Sequence, residues 1–337
     1  MRTLYKYFVF SDVHGEYNAL IKSLEDAGYE RGNPSHKLVS LGDNFDRGPD
    51  SRKIYSFLTQ NHAICVKGNH DVMFQEYLEK GMDGEFVLFN ILHNGLGETI
   101  KSFSGLQDNQ FSVETLQRAR NNINGRDSLL RWIKEMPIYY ETDTFIFVHA
   151  GINPNVPDWR LTDEHYSLWD ISDSHKSCPN VHDKVVVIGH HHAFRVRQNG
   201  LEAGYGDPDL SMAELTTNSC DENGHRHRYK LSSYGNTDEN RPYLSGNKIA
   251  IDGCTNLTKK VNVLVIEDYE KEKPKPEPED KPKSRLDEPN VTVSSNGCTI
   301  NGCTINVEPQ WYNYVDIGTA QGIYTTTTNG IWENIGG

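Results

Sequence analysis

No run of about 18 apolar residues occurs anywhere in the 337-residue sequence, so no membrane-spanning helix is expected. No signal peptide is expected either, because the apolar stretch from Phe8 to Phe10 is short and runs straight into Ser11 and Asp12. Together these absences predict a cytoplasmic protein with no membrane partner. The six cysteines (Cys65, Cys178, Cys220, Cys254, Cys298 and Cys303) form no CxxC pair. That argues against a disulfide framework or a zinc ribbon and predicts reduced thiols. Positive charge is also in deficit, with 34 Lys and Arg against 47 Asp and Glu, a net charge of -13. Non-specific binding of a polyanion rests on Lys and Arg neutralising phosphates, so nucleic acid is an unfavourable partner.

What is present up to about residue 268 is an alternation of short apolar runs with amphipathic segments, the pattern of an α/β domain. Strands are predicted at 5–10, 37–41, 63–67, 144–149, 184–188, 248–252 and 262–267. Helical spacing of apolar residues falls at 17–27, 51–60, 72–79 and 128–135. Beyond this catalytic-sized domain (1–268), residues 269–290 form a Pro- and charge-rich linker, as in KEKPKPEPEDKPK, that cannot pack a core. Residues 291–337, rich in Thr, Asn, Gly and aromatics and holding the repeat NGCTINGCTIN, read as a small β-rich tail or module whose partner is unknown. Between Leu201 and Arg241 lies a polar insertion with Cys220, His225 and His227, read as a mobile surface loop or a lid.

Polar clusters sit just after the predicted strands, where α/β proteins usually bind ligands. They are Asp12-Val-His14-Gly, Gly42-Asp43-Asn-Phe-Asp46-Arg47-Gly48, Gly68-Asn69-His70-Asp71, Phe147-Val-His149-Ala-Gly151 and Gly189-His190-His191-His192. Asp, Asn and His suit borderline divalent metals, and Asp12 and His14, two apart in an extended segment, can face one ion. One such motif is weak, since an Asp or His after a strand is commonly a turn residue. Five in series point to a metal centre.

These motifs, in this order, resemble the phosphoprotein phosphatase branch of the calcineurin-like metallophosphoesterases, which includes phage and bacterial serine/threonine phosphatases and symmetrical diadenosine tetraphosphatases. The resemblance covers residues 7 to about 266, with milder echoes at Asn94-Gly95, Glu98-Thr99, Met136-Pro137 and Ile251-Asp252-Gly253. It implies a metallophosphoesterase β-sandwich with flanking helices. It also implies that Asp12 and His14 hold one divalent metal, that Asn69, His149 and His190 hold a second, and that Asp43 bridges them. Mn is the expected ion, with Fe, Zn, Co or Ni as alternatives. Two such cations about 3.5 to 4 Å apart can turn a shared water into a hydroxide that attacks phosphorus in line. His70 then fits the general acid, Asp46 the carboxylate that orients it, and Arg47 the fork for phosphate oxygens.

The sequence departs from the phosphatase pattern in places. Lys67 stands where protein phosphatases usually carry arginine, and Trp169 is followed by Asp170 and Ile171 rather than by a second arginine. Arg160, Arg195 or Arg197 could substitute. His192 is open as a further ligand, whereas His191 is expected to point away. Three functions are in view: hydrolysis of phosphoserine or phosphothreonine in protein, or of another small phosphoester; symmetrical cleavage of dinucleoside polyphosphates; and binding through the tail with no catalysis.

Overall fold

The computed structural model describes residues 2–107, 111–181, 183–220 and 226–271, together with short strands in the tail. Two compact units result, Met1–Glu272 and Lys273–Gly337. The first holds eleven strands. β1 (Arg2–Phe10), β2 (His36–Ser40) and β3 (Ile64–Cys65) run parallel to one another. β11 (Val263–Lys271) pairs antiparallel with β1, and β8 (Arg226–Tyr234) and β7 (Ala213–Cys220) follow in turn, completing a six-stranded sheet. The second sheet has the order β4 (Tyr139–Glu141), β5 (Phe145–Val148), β6 (Val185–Ile188), β10 (Lys248–Ala250) and β9 (Tyr243–Ser245), with β5, β6 and β10 parallel.

Alternation along the strands decides the layering. Tyr7 and Val9 of β1 pack with Phe145, Phe147, Val187, Ile249 and Leu264, which fills the space between the two sheets. Phe8 and Phe10 point the other way, into a helical layer built on Leu20, Ile54, Phe57, Phe74 and Tyr77. On the far side of the second sheet, Ile146, Val148, Val186 and Ile188 pack against Trp159, Val196 and Tyr243. The first unit is therefore a two-sheet sandwich with helices on both outer faces, the expected fold class.

Several boundaries move. The third strand is only two residues long, and the next helix starts at Asn69 rather than 72, running Asn69–Lys80. Asn69 and His70 thus sit in a helical first turn, and Asp71 caps it by accepting the Gly68 N–H at 2.9 Å. The insertion expected to be a mobile loop is largely ordered structure: after the helix Ala193–Glu202, β7 and β8 form a hairpin that extends the first sheet, with Tyr229 and Leu231 buried in the sandwich. Its tip, 221–225 with His225, lies outside the described residues. β11 continues to Lys271, past residue 268, and 272–290 lie outside the described residues. In the second unit, the repeat becomes neighbouring antiparallel strands (Gly297–Ile300 and Cys303–Ile305) beside Val291–Ser294, and a second three-stranded sheet follows.

Candidate metal centre

The C-terminal ends of the parallel strands β1, β2, β3, β5 and β6 deliver Asp12, His14, Asp43, Asn69, His70, His149 and His190 to one buried place. The connecting loops are contorted. Of nine non-glycine residues with positive φ among the described residues, six are Asp12, His14, Asp43, Asp46, Arg47 and His190, at φ 46 to 72°. Each left-handed residue costs about 1 kcal/mol or more, so such a concentration marks a site where side-chain placement outweighs backbone comfort. Backbone hydrogen bonds hold the loops: Asp12 N–H to Gly42 O at 3.1 Å, His14 N–H to Asp43 O at 3.0 Å, Arg47 N–H to Gly95 O at 3.1 Å and Gly48 N–H to His14 O at 2.9 Å. Gly42 (φ 95°) touches the backbone at Gly68, and a Cβ there would lie 2.5 Å from Gly68 N.

Every imidazole is oriented by one nitrogen so that the other faces inward. His14 Nδ1 donates to Phe45 O at 2.9 Å and His149 Nδ1 to Leu41 O at 2.7 Å, whereas His190 uses Nε2, donating to Trp169 O at 3.2 Å. His70 Nδ1 lies 2.8 Å from Asp46 Oδ2. The other ring nitrogens, His14 Nε2, His70 Nε2, His149 Nε2 and His190 Nδ1, therefore converge, as outer partners fix the tautomers of metal-binding histidines.

Asp43 stands at the centre. Its Oδ2 is 3.7 Å from His14 Nε2 and 3.9 Å from His70 Nε2, and its Oδ1 is 3.3 Å from His149 Nε2 and accepts the His70 N–H at 2.9 Å. Two candidate ligand groups result among the described residues, His14–Asp43–His70 and Asp43–His149–His190, sharing Asp43. Asn69 joins the second: its inward amide atom lies 2.9 Å from His149 Nε2, 3.1 Å from His190 Nδ1 and 3.2 Å from both Asp43 oxygens. Donors spaced in this way fit one ion at bond lengths of about 2.1 Å. Asp12 Oδ1 lies 4.0 Å from His14 Nε2, while its Oδ2 accepts from Ser11 Oγ and from the His190 N–H. The donor set, lone pairs and carboxylates shut away from water, fits divalent cations. The cation it draws in here is the Arg47 guanidinium, whose nitrogens lie 2.9 Å from His14 Nε2 and 3.2 Å from His70 Nε2.

Electrostatics follow from burial. Desolvation, with the charges of Asp12 and Asp71 beside it, pushes Asp43 well above the ordinary carboxylate range, and desolvation pushes Asp46 up to about 7. Desolvation lowers His70 and His190 to about 3, helped at His70 by the Arg47 charge, and holds His14 and His149 below their ordinary values. Burial would raise Asp12 too, but His149, His14, the Ser11 hydroxyl and the His190 N–H together keep it low.

Two groups that sequence reasoning gave no role hold the site from behind. Asp71 accepts N–H groups of Asp43 at 3.1 Å and Gly68 at 2.9 Å, tying two loops, and burial pushes it up to about 7. Thr99 Oγ1 accepts the Asp46 N–H at 2.7 Å and donates to Asp46 Oδ1 at 2.8 Å. Asp252 lies beside His192, Oδ2 to Nε2 3.7 Å, outside both ligand groups. The signal for Asp71 and Thr99 was present in GNHD and in Glu98-Thr99, but without partners. His191 Nδ1 meets Ser174 Oγ at 2.5 Å.

The suggested arginine substitutes divide. Arg160 pairs with Glu141 at 2.8 Å, and Arg197 is buried, bonding Asp207 and the carbonyls of Arg241 and Pro242. Lys67 reaches Lys134 O at 3.4 Å, at the end of the helix Arg126–Lys134. Only Arg195 of these is exposed and without an acidic partner among the described residues; it stacks on Phe194 at 5.0 Å.

A family model described as calcineurin-like phosphoesterase matches residues 5–249. The chain belongs to that family. Family membership implies divalent metal ions, and the cluster around Asp43 offers candidate His and Asp ligands for them. Among curated relatives it is 40% identical over 81 residues to serine/threonine-protein phosphatase 2 of Escherichia coli, covering 24% of this chain and 36% of that one. It is 27% identical over 158 residues to the asymmetrical bis(5'-nucleosyl)-tetraphosphatase PrpE of Bacillus velezensis, covering 43% and 56%. To the symmetrical bis(5'-nucleosyl)-tetraphosphatase of Neisseria meningitidis it is 25% identical over 158 residues, covering 46% of each. The matches thus span from about a third to just over half of these relatives' lengths. Among the described residues, no helix is long and apolar enough to cross a membrane.

Proposed function

We propose that the protein is a metal-dependent phosphatase that hydrolyses phosphomonoesters, with phosphoserine or phosphothreonine in protein as its target. The observation that carries this reading is the convergence of four inward-facing imidazole nitrogens around Asp43, beside the exposed Arg47. In this proposal Asp12, His14 and Asp43 would hold one divalent ion, and Asp43, Asn69, His149 and His190 a second, Mn being the expected metal. When bound, such ions supply Lewis-acid charge and acidify water.

The chain's own residues do the rest. Arg47 presents two guanidinium nitrogens at the mouth of the site, where a phosphoryl group can replace the imidazoles as their acceptor. His70 keeps one face toward the same point while Asp46 holds its Nδ1, so Nε2 is the atom placed to pass a proton to a leaving alkoxide. A phosphate dianion facing Nε2 favours the proton on His70 over Asp46. Thr99, donating to the other Asp46 oxygen, keeps that carboxylate in register.

A second reading, hydrolysis of dinucleoside polyphosphates, draws on the names of two relatives and on two features of the site. Lys67, Arg160 and Arg197 are all engaged elsewhere, and Trp169, whose carbonyl holds His190, is 37% exposed and offers a ring for a nucleobase. Side-by-side assays with Mn²⁺, one on a phosphoserine peptide and one on diadenosine tetraphosphate, separate the two. Phosphate release from the peptide is expected, abolished by EDTA and by Asp43→Asn; exclusive turnover of the nucleotide would overturn the first reading.

A further inference from the structure

Next to the loop that carries Arg47, the helices Ser51–Gln60 and Leu96–Ser104 flank a groove of about 550 Å³. Four cations line it, Arg31, Arg52, Lys53 and Lys101, against one carboxylate, Asp50. On a chain with net charge -13 this is a local reversal of sign. Lys53 is paired with Asp50 at 2.8 Å and Lys101 with Glu98 at 2.6 Å. The guanidiniums of Arg31 and Arg52 are exposed and have no acidic partner among the described residues; Arg31 lies over the Phe57 ring at 5.0 Å.

The groove is tied to the site. Asp50 follows Arg47 by three residues, at most about 11 Å of chain. The segment is pinned by Arg47 N–H to Gly95 O at 3.1 Å, Asp50 N–H to Gly15 O at 3.0 Å and Arg52 N–H to Ser102 Oγ at 3.0 Å. A peptide whose phosphoresidue meets Arg47, advancing about 3.3 Å per residue, enters the groove about three positions away.

We propose that this groove takes an acidic segment flanking the phosphoresidue of a protein substrate, an inference that rests on the phosphatase reading above. Two unpaired planar guanidiniums suit carboxylates, which they bind through paired N–H donors. The rest of the lining, hydroxyls and amides of Ser56, Gln60, Ser102 and Gln107 with the rings of Tyr17 and Phe57, suits peptide amides and methylene groups better than a bare chain of phosphates, which needs cations throughout.

The test uses the full chain with Mn²⁺ and three phosphoserine peptides of equal length, carrying glutamates on the N-terminal side, glutamates on the C-terminal side, or glutamines on both. One acidic peptide is expected to have a KM about five- to tenfold below the glutamine peptide, with kcat unchanged, since two exposed ion pairs contribute modestly and additively. The double variant Arg31→Gln/Arg52→Gln should erase that preference and leave kcat on p-nitrophenyl phosphate intact. Equal KM values for all three peptides, or a preference that survives in the double variant, overturn the proposal. Fluorescence anisotropy of a labelled glutamate-rich peptide without phosphate, in EDTA, reads the groove independently of catalysis. Binding lost in the double variant upholds the groove even if no phosphopeptide is hydrolysed, an outcome that sinks the phosphatase reading instead. If the acidic peptide does not bind and the double variant raises KM for diadenosine tetraphosphate, the groove serves phosphates and the peptide assignment is wrong.

Discussion

Thr99→Val isolates the support of the Asp46–His70 pair from the metal ligands. Thr99 is fully buried, and its hydroxyl serves three groups: it accepts the Asp46 N–H at 2.7 Å, donates to Asp46 Oδ1 at 2.8 Å and meets Ser51 Oγ at 3.1 Å. Valine keeps the shape and strands all three in a place water does not reach. A buried polar group left without its partner costs about 1–3 kcal/mol, so three at the low end give about 3 kcal/mol. For a domain of this size, that lowers Tm by roughly 6–12 °C. Asp46, held at φ 72°, loses the donor to its Oδ1 and the acceptor for its N–H, and its grip on His70 Nδ1 loosens. The expected kinetic signature is a kcat about tenfold lower at saturating Mn²⁺, in the range of general-acid effects. Half-saturation by Mn²⁺ should change by less than about twofold, because Thr99 touches none of the proposed ligands. Differential scanning fluorimetry and a Mn²⁺ titration of p-nitrophenyl phosphate hydrolysis measure both, and Thr99→Ser, which keeps the hydroxyl, should restore kcat. A Tm within about 2 °C of wild type would refute the energetic argument. Normal kcat at saturating metal with weakened Mn²⁺ affinity would refute the assignment of Asp46 to His70 rather than to a ligand.

The arginines are ranked by their partners. Arg47→Ala should raise KM for a phosphopeptide about tenfold or more, since two charge-assisted donors are lost. Arg195→Ala should change KM by less than about twofold, and Arg197→Ala should lower Tm with little effect on KM, because that guanidinium is buried among Asp207 and backbone carbonyls. Steady-state kinetics beside thermal melts decide the order. Truncation after Glu272 should leave kcat and Tm unchanged. A chain ending at Asp268 loses Tyr269, Glu270 and Lys271, which pair with Leu4, Thr3 and Arg2, and should melt several degrees lower, by about 1–2 kcal/mol of sheet edge.

Much of the fold was legible because the central strands of both sheets are short apolar runs. Tyr7 and Val9 face one layer and Phe8 and Phe10 the other, and the motifs follow where the apolar runs stop. The hairpin of β7 and β8 was not legible, since its composition is largely polar and, among its described side chains, Tyr229 and Leu231 are the buried apolar ones. Asn69 and His70 read as a strand-end loop because the helix they begin carries its first apolar side chains further along. Capping by Asp71 rather than a hydrophobic period sets its start.

The site shows a sharper division. Residue types that bind metals announce themselves by chemistry and position, so the proposed ligands Asp12, His14, Asp43, Asn69, His149 and His190 could be named from five short motifs. What orients the three histidines among them is a backbone carbonyl, Phe45 O for His14, Leu41 O for His149 and Trp169 O for His190, and a carbonyl has no residue identity to read. The left-handed backbone at Asp12, His14, Asp43 and His190 is hidden for a related reason. Sequence marks φ > 0 by glycine, and here the positions that need it are filled by the proposed ligands themselves. Such strain persists only where the surroundings over-determine it, as crossed backbones at Gly42 and Gly68 and the Asp71 carboxylate do between the two loops. The glycines of GD and GN are therefore the readable trace of geometry that the ligands carry unmarked.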